Sequence, residues 1–581
     1  MDYQQALRKV FGFKAFQDGQ EEVIKIIMEG KSAIALFSTS VGKSLCYQLP
    51  ATLLSGMTLV VSPLLSLMKD QNDYLNSLNI PSDILDSTIS SSKQRAIMQD
   101  IMNNKLKVLF VSPERFKSKV FRHYLSSTMV SLLVIDEAHC ISEWGHDFRP
   151  SYMKLPDFKK KYGIKQVLLL TATATHPVVQ DMATSFKIPK KNIIRVNKSR
   201  NNLYLGIKHV SNDKVFDLID MLHEAPDEST VIYVREKDEA VHLCLLLRNE
   251  DFDVDYYHSG MSKDKRDDVQ ERFFRNELPI VIATKGFGMG LDKRDIRFIY
   301  HYNIPSSPEE YVQQTGRAGR DSNPSFCEVL YSTDDVDKMR KILSRGCDEN
   351  FKMNIRSFVS ELKNGGYEIN ITQSARNLKM TESTIQSILL YLERIGIVNY
   401  ESVNYRNYEI RILTHKKENL SEDERSFLNY LMASAQTFTG WSSINIYRES
   451  ENLHKEPSDI LRMLNALNDK GIIDLRMQQV LESYTLNKSN FDIDQVAEDI
   501  FTIFKERSDQ AIKRFNVLES ILTSGICIKS QLNQYFGNKT NGHCGSCSVC
   551  TVLNPLSRIS FQIPLTSLIR YQNLKGQSLL S

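Results

Sequence analysis

An alternation that occurs twice most constrains how this chain can fold. From Lys31 to about Asn197 the short runs SAIALF, TLVVS, VLFVS, LLVID, VLLLT and IIRV are separated by longer stretches of helical periodicity. Brief apolar runs bounded by turns read as strands buried on both faces, and strands joined through helices build a doubly wound parallel sheet. The pattern then restarts with LYLGIKHV, TVIYV, VDYYH, PIVIAT, FIYHY and FCEVLY, ending near Tyr331. The expected fold class is α/β, with two tandem parallel-sheet lobes at 1–199 and 200–345.

A chain of 581 residues exceeds the roughly 250–300 residues that one core supports, so further domains are expected. Residues 346–488 are mostly helical. In TQSARNLKMTESTIQSILLYLER, a helix, a tight turn and a second helix precede Gly396 and two β-like runs, IVNY and YEIRI. That is a winged-helix pattern. PSDILRMLNALNDKGIIDL followed by LESYTL repeats the helix–glycine–strand order, which suggests a second unit. A helical segment, 493–524, leads into a cysteine cluster within 489–555, and 556–581 carry no readable pattern.

Bulk properties exclude several classes. No apolar run reaches the roughly 18 residues a membrane helix needs, and MDYQQALRKVFGF lacks a signal core, so a cytoplasmic protein is expected. A net charge of +3 gives no overall attraction for nucleic acid, so any strand binding must rest on local grooves and stacking. Cys46, Cys140, Cys244, Cys327 and Cys347 are scattered, as suits a reducing compartment.

Three segments carry chemistry. After the strand ending at Phe37 comes Ser38-Thr39-Ser40-Val41-Gly42-Lys43-Ser44, opening a helix at Leu45. Backbone N–H groups of such a loop cradle phosphates, Lys43 adds a charge and Ser44 a hydroxyl for Mg²⁺. Phe37 stands where a full P-loop begins with glycine, so alone the segment also fits an ordinary strand-to-helix turn. The second segment, LLVIDEAHCISEWGHDFRPSY, tips the balance. Asp136 ends a buried strand, where an aspartate holds Mg²⁺ in P-loop enzymes, and Glu137 is placed to orient and deprotonate water. Trp144, His146, Phe148 and Arg149 crowd the loop that follows, a composition suited to stacking on bases. Core packing is the alternative for Trp144 and Phe148, but Glu143, Gly145, His146 and Asp147 suit a core poorly. The third, QTGRAGR, offers Arg317 and Arg320 one helical turn apart on one face, as an arginine finger for the departing phosphate.

These residues, together with KSLCYQLPA, TATAT (171–175), FGMGLDK and YVQQTGRAGRD in that order, resemble the RecQ family of superfamily-two DNA helicases along nearly the whole chain. The resemblance implies two RecA-like lobes and ATP-driven 3′→5′ unwinding of duplex DNA, in recombination and repair. It places Gln20, in FGFKAFQDGQEEVI, on the adenine. It assigns Lys43, Ser44, Asp136 and Glu137 to ATP and Mg²⁺, and Arg317 and Arg320 to the γ-phosphate. Trp144, His146, Phe148 and Arg149 match the aromatic-rich loop that couples strand binding to hydrolysis. Where the family has a glycine-rich TGGGKS, this chain has Thr39-Ser40-Val41-Gly42-Lys43-Ser44, with Ser40 and Val41 in place of two glycines. The loss of glycines and the β-branched Val41 restrict the loop, a departure that bears on hydrolysis rate rather than ATP binding.

Cys527, Cys544, Cys547 and Cys550 have spacings that suit a tetrahedral structural Zn²⁺. In the family this spacing marks a zinc module directly after the lobes. Here it follows the winged-helix region, as in a rearranged bacterial subgroup. The implied cofactors are ATP, Mg²⁺ and Zn²⁺, and the implied partners single-stranded and forked duplex DNA; a protein partner, such as a single-stranded DNA-binding protein, is not readable in the sequence. Grip on the duplex is expected from the helix near 381–394, or from Arg406 and Arg411 of the wing. A DNA-binding scaffold with a weakened P-loop, and an RNA helicase, are the alternative readings.

Overall fold

The computed structural model describes residues 3–553, apart from 38–41, 87–88, 90, 144, 146, 197–199, 211–212, 226–227, 289–292, 346, 364–367, 414–419, 435–439 and 539–541. Thr39, Ser40, Val41, Trp144, His146 and the 556–581 tail therefore lie outside the described residues. The chain forms two compact units. One holds residues 3–82, 130–345 and 505–553; the other holds 83–129 and 347–504. Among the described residues no helix is long and apolar enough to cross a membrane.

In the first unit the first lobe places five parallel strands in the order Met57–Val61, Val130–Ile135, Val167–Thr171, Ala33–Phe37, Ile193–Val196. Ala33–Phe37 is buried at all five positions, as the continuous apolar run requires of a strand covered on both faces. The second lobe has six parallel strands, in the order Val254–Tyr257, Ile280–Ala283, Thr230–Tyr233, Phe298–His301, Ser325–Tyr331, Leu203–His209. Its strand residues alternate between two apolar layers. Val231, Tyr233, Val281, Ala283 and Ile299 face one layer, while Ile232, Ile280, Ile282 and Tyr300 face the other. The first of these layers also contains Phe515, Leu518, Ile521 and Leu522 of the helix Ile493–Thr523, together with Cys527, Cys547 and Cys550.

In the second unit the helices Ile371–Asn377 and Glu382–Arg394 form the expected helix-turn-helix, each capped by a side chain, Asn370 and Thr381. The strands differ from expectation. IVNY and YEIRI are parts of one strand, Val398–Ile412, and IIDL and LESYTL are parts of another, Ile473–Leu486. The two pair antiparallel from Val398↔Leu486 to Ile412↔Ile473 in a four-stranded sheet. The polar stretch between IVNY and YEIRI looks like a turn in sequence, yet the equally long partner strand satisfies its backbone groups across the ladder. The two helix–glycine–strand units thus share one sheet.

The second helix also differs from a free recognition helix. Ile385, Ile388, Leu389, Tyr391 and Leu392 sit in the apolar core of this unit. The side chain of Arg406 lies outside the described residues, and Arg411 pairs with Asp474 at 2.5 Å and lies over Trp441, 5.1 Å from the ring centre. Within the same unit the segment 83–129 is fastened to the shared sheet. Lys117 pairs with the buried Glu482, which also accepts from the Tyr484 hydroxyl at 2.7 Å, and the Tyr400 hydroxyl donates to the Lys117 carbonyl at 3.1 Å.

Phe515 is fully buried in the second-lobe layer. Phe515→Ala is expected to destabilise that lobe by about 3–5 kcal/mol, measured by denaturant unfolding followed with a probe in residues 203–331.

Candidate functional site

The first site lies at the carboxyl ends of the first-lobe strands. The strand Val130–Ile135 runs into Asp136, whose N–H still joins the ladder by donating to the Val61 carbonyl at 2.9 Å. Its own carbonyl accepts from the Tyr152 hydroxyl at 3.2 Å. Glu137 then takes φ +47° and ψ +47°, a left-handed conformation that is uncommon for a residue with a side chain and ends the strand. The chain turns at once into the short 3₁₀ segment Ala138–Ile141.

Burial, reinforced by Glu137 beside it, pushes the Asp136 carboxyl up to about 6, and the Lys43 ammonium opposes that rise. A divalent cation is the natural counter-charge for two adjacent carboxylates, so these residues fit Mg²⁺. Ser44 opens the helix Leu45–Leu53 without a side-chain capping bond. Gln20, buried at the start of the helix Gln20–Met28, accepts from the Gln17 N–H at 2.8 Å and donates to the Gly42 carbonyl at 3.0 Å. Gln20, Gly42, Lys43, Asp136 and Glu137 are therefore brought together.

His139 was not singled out in the sequence. It is buried, with Nδ1 2.9 Å from the Thr171 hydroxyl and 3.3 Å from the Glu137 carboxylate. Burial holds its pKa below the usual value against the pull of Glu137 and Asp147. A neutral imidazole thus links the acidic pair to the first threonine of TATAT. The signal was its place two residues after Glu137.

The loop that follows folds back on this turn. The Gly145 N–H donates to the Ser142 carbonyl and the Arg149 N–H to the Cys140 carbonyl, at 3.0 and 3.1 Å. A Cβ at Gly145 would stand 2.6 Å from the His139 carbonyl oxygen, so glycine is required there. Phe148 is half-buried, and the Arg507 guanidinium lies over its ring, 4.3 Å from the centre. Arg149 reaches Asp147 at 3.5 Å.

The arginines of QTGRAGR do not share a helix face. The helix Pro308–Thr315 ends before them, and Arg317 and Arg320 lie in a turn that Gly319 directs with φ +55°. A Cβ on Gly319 would come within 2.5 Å of Asn202 Nδ2. Arg317 is buried against Gly288, and its Nε has no hydrogen-bond partner among the described residues. Arg317 and Arg320 both act electrostatically on Tyr233 of their own lobe.

In the same unit, the thiols of Cys527, Cys544, Cys547 and Cys550 all lie within 4.8 Å of one another. Hydrogen bonding from Cys547, the Ser546 N–H and Cys527, with the Lys529 charge, holds the Cys544 thiol down to about 4. Four convergent sulfurs, one poised as a thiolate, fit Zn²⁺. His543 Nδ1 is 3.7 Å from the Cys550 sulfur. Backbone and side-chain bonds seat this module on the lobes. Leu205 N–H donates to the Ser546 carbonyl at 3.2 Å, Tyr535 donates to Glu309 at 2.8 Å, and Arg195 of the first lobe donates to the Phe536 carbonyl.

Comparison with known proteins gives two family matches, DEAD/DEAH box helicase over residues 17–182 and helicase conserved C-terminal domain over residues 213–322. The chain is 38% identical over 349 residues to the probable ATP-dependent DNA helicase RecS of Bacillus subtilis, covering 58% of this chain and 69% of that one. It is 38% identical over 338 residues to the ATP-dependent DNA helicase RecQ of Pasteurella multocida, covering 58% and 53%. It is 32% identical over 537 residues to the ATP-dependent DNA helicase Q-like 5 of Arabidopsis thaliana, covering 90% and 59%. The chain spans little more than half the length of these last two relatives.

The donor set predicts one tightly held Zn²⁺ per chain. Plasma emission spectrometry should find one equivalent after dialysis and a loss of most of it in Cys544→Ser.

Proposed function

Because the chain belongs to the RecQ family of ATP-dependent DNA helicases, we propose that it hydrolyses ATP to move 3′→5′ along single-stranded DNA and to unwind forked duplexes, in recombination and repair. The observation that carries this reading is the convergence of Lys43, Asp136 and Glu137 at the strand ends, with Gln20 tied to Gly42 beside them.

Bound ATP with Mg²⁺ supplies the cleavable γ-phosphate and the cation that offsets its charge. Ser44 and Asp136 would hold the cation, and Lys43 would offset the charge of the phosphates. The Gln20 amide, oriented by its bonds to Gln17 and Gly42, offers a donor and an acceptor to the adenine edge. Glu137 orients the attacking water and takes its proton, while His139 holds that carboxylate toward Thr171. Arg317 and Arg320 neutralise charge on the departing phosphoryl group when the lobes close. Phe148 and Arg149, in the loop with Trp144 and His146, contact the strand. Arg507 covers one face of Phe148, so a base stacks on the other. Zn²⁺, held by Cys527, Cys544, Cys547 and Cys550, would brace the module whose residues pack on the second lobe.

The test is steady-state ATP hydrolysis with Mg²⁺, with and without single-stranded DNA. Turnover is expected to rise with DNA and to fall by roughly 100-fold or more in Lys43→Ala and Glu137→Gln. Forks with a 3′ or a 5′ tail then give the polarity. No turnover from folded, zinc-loaded protein would remove the motor reading and favour a scaffold. Phe148→Ala is expected to raise the DNA concentration for half-maximal stimulation by about 5- to 100-fold, the loss of one stacking partner.

A further inference from the structure

The turn that carries Arg317 and Arg320 is held from outside by residues that no motif marks. Arg200, in the loop before the second-lobe strand Leu203–His209, points its guanidinium at the back of this turn. Its Nη1 donates to the Gly316 carbonyl at 3.2 Å, and its Nη2 donates to the carbonyls of Ala318, at 2.6 Å, and Gly319. Asn202 adds a second clamp, with Nδ2 donating to the carbonyls of Gly319 and Asn323, each at 2.8 Å. The Arg200 Nε in turn donates to Asn202 Oδ1 at 3.4 Å.

Arg200 is itself braced by the cysteine-bearing module. The Lys529 ammonium, 9% exposed, donates to the Arg200 carbonyl at 3.1 Å and to the Ser546 hydroxyl at 2.5 Å, and Ser546 lies between Cys544 and Cys547. A run of named hydrogen bonds thus leads from the cysteine cluster to the backbone on either side of Arg317.

We propose that Arg200, supported by Asn202 and Lys529, is a positioning residue for ATP hydrolysis. It fixes the backbone of the arginine turn, so that Arg317 and Arg320 meet the γ-phosphate in one geometry. The chemistry favours such a role. A turn rich in glycine has little rigidity of its own, and the helix before it ends at Thr315, leaving carbonyls without helical donors. A planar guanidinium can collect three carbonyls in one fork, which the point charge of a lysine cannot. Displacing a catalytic arginine by a fraction of an ångström affects the transition state more than ground-state nucleotide binding. The inference rests on the reading of Arg317 and Arg320 as γ-phosphate residues.

The experiment uses the full chain, zinc-loaded, with saturating single-stranded DNA. Arg200→Ala, Arg200→Lys, Asn202→Ala and Lys529→Met are compared with Arg317→Ala and Arg320→Ala. For Arg200→Ala the expected result is a kcat lowered by roughly 10- to 100-fold, with KM for ATP and the affinity for a fluorescent ATP analogue changed less than about threefold. Arg200→Lys should recover only a small part, and Lys529→Met should show the same kcat-selective loss in milder form, with zinc content unchanged. If Arg317→Ala and Arg320→Ala lower kcat but Arg200→Ala does not, or if it loses nucleotide affinity and thermal stability in step with kcat, Arg200 is only structural and the inference fails. If neither arginine variant lowers kcat, the γ-phosphate reading itself fails, and the inference with it. The two failures are therefore distinguishable.

Discussion

A parallel sheet must be covered on both faces, and in the second lobe one cover comes from a distant part of the chain. Helices between the strands, led by Leu218, Leu222, Leu243 and Leu247, supply one apolar layer. The opposite layer is completed by Phe515, Leu518, Ile521 and Leu522, and then by Ile528, Leu532 and the cysteine cluster. The winged-helix region lies between the strands and this cover in sequence, so the lobe cannot finish its core until the long helix has returned. The four cysteines, which fit a metal, border a layer that also contains Tyr311 and Ala318, on either side of Thr315 and Arg317. This places the cysteine cluster and a residue of the arginine turn in one packed layer.

Much of this was legible in the sequence because it depends on local periodicity and on fixed spacings. The expected strands, from Ala33–Phe37 to Ser325–Tyr331, follow apolar runs that have no other stable use. The four cysteines converge as their spacing suggested. What was not legible depends on pairing across long separations. The run between IVNY and YEIRI is polar and reads as a turn, yet Val398–Ile412 is continuous because Ile473–Leu486 lies alongside it. QTGRAGR reads as helix because its arginines are three apart, yet the turn is set by Gly319 and by Asn202, more than one hundred residues earlier. Arg200 and Asn202 carry no local signal at all. Their role lies in the carbonyls they reach, and carbonyls are invisible in a sequence.

The acidic site shows how burial and function oppose one another. Asp136 and Glu137 are adjacent, and the Asp136 carboxyl is pushed up to about 6 by burial and by its neighbour, even with Lys43 opposing. Left to itself such a pair costs the fold stability as pH rises above the usual carboxylate range, because the unfolded chain would ionise Asp136 more readily. A bound divalent cation reverses the sign by favouring the charged form. The left-handed backbone at Glu137 adds a further local cost. Both are features that stability alone would remove, and both lie where the proposed chemistry needs them.

The space between the two lobes bears on how the proposed hydrolysis would be coupled to movement. Ala172, Thr173 and Ala174 follow Thr171, the residue bonded to His139, and they line a cavity of about 170 Å³. Thr315 and Gly316 of the second lobe and Lys529, Leu532 and Phe536 of the cysteine-bearing module line it as well, with Arg195 and Arg200 among the others. What separates the TATAT segment from the start of the arginine turn is thus partly a void. Close-packed side chains resist displacement because each is wedged among its neighbours, whereas facing walls across a void can approach with little to break. The module keeps a hold on both lobes, through Arg195 to Phe536 and through Lys529 to Arg200. Lobe closure about that hold would narrow the cavity and carry the arginine turn toward the first lobe, while the bonds from Arg200 to the turn's carbonyls would hold its shape in the proposed role. Rigidity in the turn and slack beside it are complementary requirements for one closing motion.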